Sequence, residues 1–132
     1  MAARNEVLGA ALEREIADAG GTSIFVKTDV VDPEDIQRMV RTGVERFGRL
    51  DILVNNAGMQ PETQAPTADV TLEDWDHVIK VNLTSVFLGS KYAIPQILKS
   101  GGGSIINVAW AGGWWVSFTR PPTAPPRPGS ST

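Results

Sequence analysis

The chain has 132 residues, of which 42% are hydrophobic, carries a formal charge of −3 and contains no cysteine. That length suits one small domain with a modest core, or about half of a doubly wound α/β domain. The charge excludes a basic nucleic-acid footprint, the missing thiols exclude disulfides and thiolate metal sites and fit a cytoplasmic protein, and no apolar run approaches the roughly 20 residues of a membrane span.

From Ala2 to Ala19 the residues Val7, Leu8, Ala11, Leu12 and Ile16 recur at helical spacing, with Glu13, Arg14, Glu15 and Asp18 on the other face. Gly20-Gly21 stops this helix as a C-cap would. Ser23 to Thr28 reads as a strand with Asp29-Val30 at its carboxyl end. Asp32 is placed as N-cap and Pro33 as first residue of a second helix, whose expected buried stripe is Ile36, Val40, Val44 and Phe47 and whose end is Gly48. Ile52-Leu53-Val54 is too short for a helix and reads as a buried parallel strand running out into Asn55-Asn56-Ala57-Gly58. Helix and strand alternate, which calls for a parallel sheet.

A polar loop with Gln60, Pro61 and Pro66 follows, then Thr71 as cap with Asp74 in the reciprocal position. One long helix is expected from there to about Lys99, with Trp75, Val78, Val81, Leu83, Phe87, Tyr92 and Leu98 among its apolar residues and a kink at Pro95. Gly101-Gly102-Gly103 forms the turn into a strand, Ser104 to Ala109. The texture changes at Trp110: three of the four tryptophans and five of the nine prolines fall between Trp110 and Thr132. The expected organisation is an α/β unit over residues 1–109 and an irregular, Pro-rich, disordered tail over 110–132.

Strand ends in open α/β sheets are where ligands bind, and Ala57 and Gly58 let a flat ligand approach the backbone while the amides of Asn55 and Asn56 tie the strand end to its surroundings. The Asn55-Asn56-Ala57-Gly58 run resembles that of the short-chain dehydrogenase/reductase family, and further motifs follow in the family's order over nearly all of residues 1–109. Ala2-Ala3-Arg4-Asn5 is similar to the end of the family's second strand, where an Arg meets the 2'-phosphate of NADP. Thr28-Asp29-Val30 is similar to its adenine-contacting Asp-Val, Lys80-Val81-Asn82-Leu83 to its helix segment with a catalytic-site Asn, and Ser104 to Val108 to the strand leading to the catalytic Ser. The resemblance implies a partial Rossmann-type doubly wound parallel sheet and an NAD(P)-linked oxidoreductase, with a lean to NADP, acting on an alcohol or ketone such as a 3-oxoacyl, sugar or steroid-like compound. It implies Asn82 as the one retained catalytic member and Arg4, Asp29, Val30, Asn56, Ala57, Gly58 and Val81 as cofactor-binding residues. It also implies association of copies through the long helix, Trp75 to Leu98.

Two departures bear on activity. The family opens with a strand and a Gly-rich turn that admits a pyrophosphate to a helix N-terminus, and no such stretch stands in this sequence. The family's Ser falls at Trp110, and its Tyr-x-x-x-Lys pair falls at Thr123 and Arg127. A frameshift explains the second departure: one C lost from a TCG codon before GGC gives Trp110 and begins Ala111. Restoring it permits Ser at position 110, Tyr at 123 and, where AGG or AGA encodes Arg127, Lys at 127. The expectation is an incomplete, inactive chain. The readings from other classes are a non-catalytic fragment or interaction module, and a binding domain that keeps only the adenine pocket. His77, the sole histidine, has no partner at metal-ligand spacing and reads as a surface residue, and Asn82-Leu83-Thr84 is discounted as a glycosylation sequon.

Overall fold

A computed structural model describes residues 1–61 and 66–109. The expectations for Trp110, Thr123, Arg127 and the whole 110–132 tail lie outside the described residues. The elements run β1 (Ala2–Ala3), α1 (Glu6–Asp18), β2 (Val26–Lys27), α2 (Pro33–Phe47), β3 (Ile52–Asn55), α3 (Leu72–Ile79), α4 (Ser85–Lys99) and β4 (Ser104–Asn107). β1 pairs with β2 and β3 with β4, both in parallel, with Ala2 opposite Val26 and Leu53 opposite Ile105. The α/β class and the parallel strands are as expected, but the described strands form two two-stranded sheets.

Local chemistry places most boundaries. The helix expected from Ala2 begins at Glu6, because Ala2 and Ala3 are extended against β2 and the Asn5 side chain accepts from the Leu8 N–H at 3.0 Å as N-cap. At the other end of α1 the Gly20 N–H reaches the Ala17 carbonyl at 2.9 Å and the Gly21 N–H the Ile16 carbonyl at 2.8 Å. That pair of bonds is a Schellman motif and needs the positive φ of +81° that Gly20 adopts. Asp32 caps α2 through the Glu34 N–H at 2.9 Å, and Gly48, at φ 77°, closes it on the Val44 carbonyl at 2.8 Å. Thr71 caps α3, accepting from the Asp74 N–H at 3.1 Å and donating to its carboxylate at 2.8 Å.

The face of α1 differs from the expectation. Val7, Leu8 and Leu12 are exposed, and Gly9 is the buried residue of the helix, with Glu13 and Ile16 half-buried. Contact with the sheet region is made instead through Gly9, where a Cβ would collide with the Phe25 ring, and through Glu13, whose carboxylate accepts from the Phe25 N–H at 3.0 Å. Ile36 and Val40 of α2 are buried as expected, whereas Phe47 is 45% exposed. In β3 only Leu53 is buried, while Ile52 and Val54 point the other way, where the described elements do not cover them. The long helix runs as expected from Leu72 to Lys99, but with a π-helical turn, Lys80–Thr84, between α3 and α4, and it continues through Pro95.

The core lies where α2, α4 and β3 meet. Val40, Leu53, Ala93 and Ile97 form one buried cluster, with Met39, Leu50, Tyr92 and Ile105 packed against it. Ser100 locks the end of α4 to the start of the β3 segment, its hydroxyl accepting from the Leu50 N–H at 3.0 Å and donating to the Gln96 carbonyl at 3.0 Å.

Candidate functional site

The segments that leave the strands at their carboxyl ends converge. Arg4 follows β1, Asp29 and Val30 follow β2, and Asn56, Ala57 and Gly58 follow β3. All six, with Val81 of the π-helical turn, border one cavity of about 820 Å³. A void of that size falls within the ~300–1,000 Å³ range of small-molecule and cofactor sites. Asn82 does not border it; Met59, to which Asn82 is bound, does. His77 is exposed at its margin, and no group of three metal-ligating side chains exists among the described residues.

Asp29 is held by residues that carry no signal in the sequence. Its N–H donates to Asp35 at 2.8 Å, and its own carboxylate accepts from the Val31 N–H at 3.1 Å in an Asx turn. Arg38 pairs with Asp35 at 2.6 Å and donates to the Lys27 carbonyl at 2.9 Å, so the end of β2 is clamped to α2. The Asp29 N–H first, and the Arg38 guanidinium second, hold the Asp35 carboxyl below its ordinary value of 3.8. A depressed folded-state pKa stabilises the fold fully above that ordinary value, and the contribution is lost as pH falls through the folded value. Asp35→Asn is therefore expected to lower the urea midpoint at pH 7, by a gap that narrows progressively as pH falls below 3.8. A gap that stays constant as the pH is lowered would exclude this origin.

Around Asn55 the geometry is tight. Its side-chain amide donates to the Asn107 side-chain oxygen at 2.8 Å, joining the carboxyl ends of β3 and β4. Gly89 of α4 makes room for it: a Cβ there would lie 2.6 Å from the Asn55 Oδ1. The π-helical turn gives Asn82 its position. The Ser85 N–H bonds back to the Lys80 carbonyl, widening the helix by one residue. Asn82 then grips the backbone of Met59 twice, accepting from its N–H and donating to its carbonyl, both at 2.8 Å. The family resemblance implies a catalytic-site role for Asn82, and in the structure its amide fixes the loop that follows Gly58. At Gly58 itself a Cβ would meet only Asn82 Oδ1, at 3.6 Å, so the backbone stays open to a flat ligand.

These features define a parallel α/β unit with a candidate ligand site at its strand ends, the place where such sheets bind. Comparison with known proteins makes this specific. A family model, short chain dehydrogenase, matches residues 1–117. An uncharacterized oxidoreductase of Thermotoga maritima is 40% identical over 105 residues, which are 80% of this chain and 40% of the relative. The 3beta-hydroxysteroid dehydrogenase 2 of Eggerthella lenta is 41% identical over 106 residues, 80% of this chain and 40% of the relative. Among solved structures, a 3-ketoacyl-ACP reductase from Sinorhizobium meliloti superposes with a TM-score of 0.78 at 36% identity, over 82% of this chain and 42% of that one. The chain belongs to the short-chain dehydrogenase family, with its Rossmann-like α/β fold, and spans about two-fifths of the length of these relatives.

Proposed function

We propose that this chain is part of an NAD(P)-linked oxidoreductase acting on the CH–OH or carbonyl group of a small alcohol or ketone, with 3-oxoacyl, sugar and steroid-like compounds as the candidate substrates. The observation that supports it is the gathering of Arg4, Asp29, Val30, Asn56, Ala57, Gly58 and Val81 around one cavity at the strand ends. The cavity fits a dinucleotide's adenosine side. One Asp29 carboxylate oxygen has no hydrogen-bond partner among the described residues and can accept from an adenine amino group, with Val30 beside it. Arg4 is exposed on the same cavity and would pair with a 2'-phosphate through its planar fork, which is the basis of the lean to NADP. Ala57 and Gly58 leave backbone open, and Asn82 holds Met59 so that this backbone keeps its course.

When bound, the nicotinamide supplies hydride transfer, and the protein's task is orientation and proton movement. For the proton this sequence offers one tyrosine, Tyr92, with Gln96 rather than Lys four residues on. These 132 residues on their own are expected to bind cofactor without turnover. The reading includes a shifted frame after Ala109, which rests on the change of texture at Trp110 and on the spacing of positions 110, 123 and 127. Coding DNA with no TCG/GGC remnant at Trp110 would remove that part. It also includes a cytoplasmic location and self-association through the long helical face, where Leu83, Phe87 and Leu98 are 62%, 63% and 69% exposed. Light scattering is expected to give a mass above that of one chain.

NADPH fluorescence titration tests the site. Saturable binding is expected, and Arg4→Ala should weaken NADPH about tenfold, the worth of ~1.4 kcal/mol, while leaving NADH unchanged. Equal weakening of both would remove the preference for NADP, and no saturation with either would overturn the binding reading.

A further inference from the structure

Asp29 is pinned at three points. Its N–H donates to the Asp35 carboxylate at 2.8 Å, its carbonyl accepts from the Asp32 N–H at 3.1 Å, and one of its own carboxylate oxygens accepts from the Val31 N–H at 3.1 Å. The bond to Asp35 meets a need set by the strand. Polar groups alternate in direction along a strand, and the Thr28 N–H is directed at the Ala3 carbonyl of β1, so the Asp29 N–H is aimed away from β1. No backbone carbonyl among the described residues receives it, and the Asp35 carboxylate does.

Asp35 is itself held. Its second oxygen lies 2.6 Å from the Arg38 guanidinium, which also donates to the Lys27 carbonyl at 2.9 Å. Arg38 therefore ties α2 to the end of β2 and offsets the like charge that Asp35 brings beside the Asp29 carboxylate. The Asp35 side chain is only 19% exposed, and neither Asp35 nor Arg38 borders the cavity on which Asp29 and Val30 stand. The pair reaches a ligand only through Asp29.

We infer that Asp35 and Arg38 form a positioning pair that makes Asp29 selective for a 6-amino purine over a 6-oxo purine. The inference rests on the oxidoreductase reading, which sets the adenine end of a dinucleotide against Asp29. An ionised carboxylate only accepts. Adenine carries a donor at its 6-amino group beside an acceptor at N1, and a 6-oxo purine reverses the two. A carboxylate free to turn would accept from whichever donor is presented. One that is fixed through its main chain and one of its oxygens offers the other oxygen at a single point, where an amino group pairs and a carbonyl oxygen is repelled.

The test is fluorescence titration of the 132-residue chain with NADPH and with its hypoxanthine analogue, in which a carbonyl replaces the 6-amino group. The unchanged chain is expected to bind NADPH at least about tenfold more tightly than the analogue. Asp35→Ala and Arg38→Gln should each narrow that ratio to about threefold or less, chiefly by weakening NADPH. Asp32→Ala is the control for a merely structural effect. It removes the side-chain cap of α2 but not the main-chain N–H that Asp32 gives to Asp29, so its ratio should match that of the unchanged chain. A second readout needs no ligand: amide hydrogen exchange at Asp29 should quicken at least about tenfold in Asp35→Ala and stay unchanged in Asp32→Ala. Should Asp35→Ala fail to fold by far-UV circular dichroism, Arg38→Gln carries the comparison of ratios. A ratio near one in the unchanged chain, a ratio that survives in the folded variants, or one that collapses equally in Asp32→Ala would overturn the pair's role and leave the cofactor reading standing. No saturable binding of NADPH by the unchanged chain would overturn that reading and the inference with it.

Discussion

Replacing Ile97 by alanine is expected to destabilise the fold by about 3–4 kcal/mol, within the ~2–5 kcal/mol that large-to-alanine core substitutions cost. Ile97 is 6% exposed and packs in the cluster with Val40, Leu53 and Ala93 that joins α2, α4 and β3. Few residues share that load: Ile36, Val40, Leu53, Ala93 and Ile97 are the buried hydrophobic residues among those described. A domain's whole margin is ordinarily about 5–15 kcal/mol, and a core this small belongs at the lower end, so the loss leaves a large unfolded fraction. Ile97→Val, which removes one methylene, should cost only about 1 kcal/mol. Urea denaturation followed by far-UV circular dichroism checks both, and similar midpoints for the two variants would show that the cluster is not what holds the unit together.

The parts of the fold legible in the sequence are those written in local chemistry. Asp32, Thr71, Gly20 and Gly48 each act within four residues of their own position, so their capping roles can be read without knowing what packs where. Asn5 caps α1 by the same local chemistry, but the apolar texture from Ala2 onward hides it, because Ala2 and Ala3 become a strand only through their partner β2. Faces are less legible, because a face is defined by its neighbour. The apolar stripe of α1 runs through Val7, Leu8 and Leu12, yet the helix meets the sheet region through Gly9, whose lack of a side chain is what admits the Phe25 ring. Period alone cannot report a contact made by the absence of atoms. The π-helical turn at Lys80–Thr84 is hidden for a similar reason: its gain is the Asn82 grip on Met59, a partner 23 residues away.

At the candidate site the pattern repeats. Motifs at the strand ends and in the π-helical turn lead to seven of the residues that border the cavity. Their supports do not stand out, since Asp35 looks like any acidic residue in the first turn of a helix and Gly89 like a weak point in the middle of one. Only the fold reveals that Asp35 receives the Asp29 N–H and that Gly89 leaves space for the Asn55 amide.

Gly103→Ala is expected to disturb both stability and site. Its φ is not positive, so the requirement for glycine comes from crowding rather than from backbone conformation. A Cβ at this position would collide with the Asp51 carbonyl oxygen and would lie 2.8 Å from the carbonyl carbon and 3.0 Å from Ile97 Cγ2. That oxygen also accepts from the Ser104 N–H at 2.9 Å, the bond that sets the β3–β4 register, so the obstacle is backbone that cannot rotate away. Overpacking usually costs about 1–3 kcal/mol, and the upper end applies where backbone must move. Gly43→Ala is the contrasting case: it lies in the middle of α2, where an added methyl would meet nothing within 4 Å, and should stabilise by up to about 1 kcal/mol through helix propensity. Because Asn55 and Asn107 are opposite each other in the register that begins at Ile52 and Ser104, a shift at Gly103 carries to their 2.8 Å side-chain bond and from there to Asn56, Ala57 and Gly58. The Asn55 and Asn107 side-chain amide resonances should therefore move in Gly103→Ala and stay in place in Gly43→Ala. Unmoved resonances and an unchanged urea midpoint in Gly103→Ala would show that the strands have room the geometry denies them.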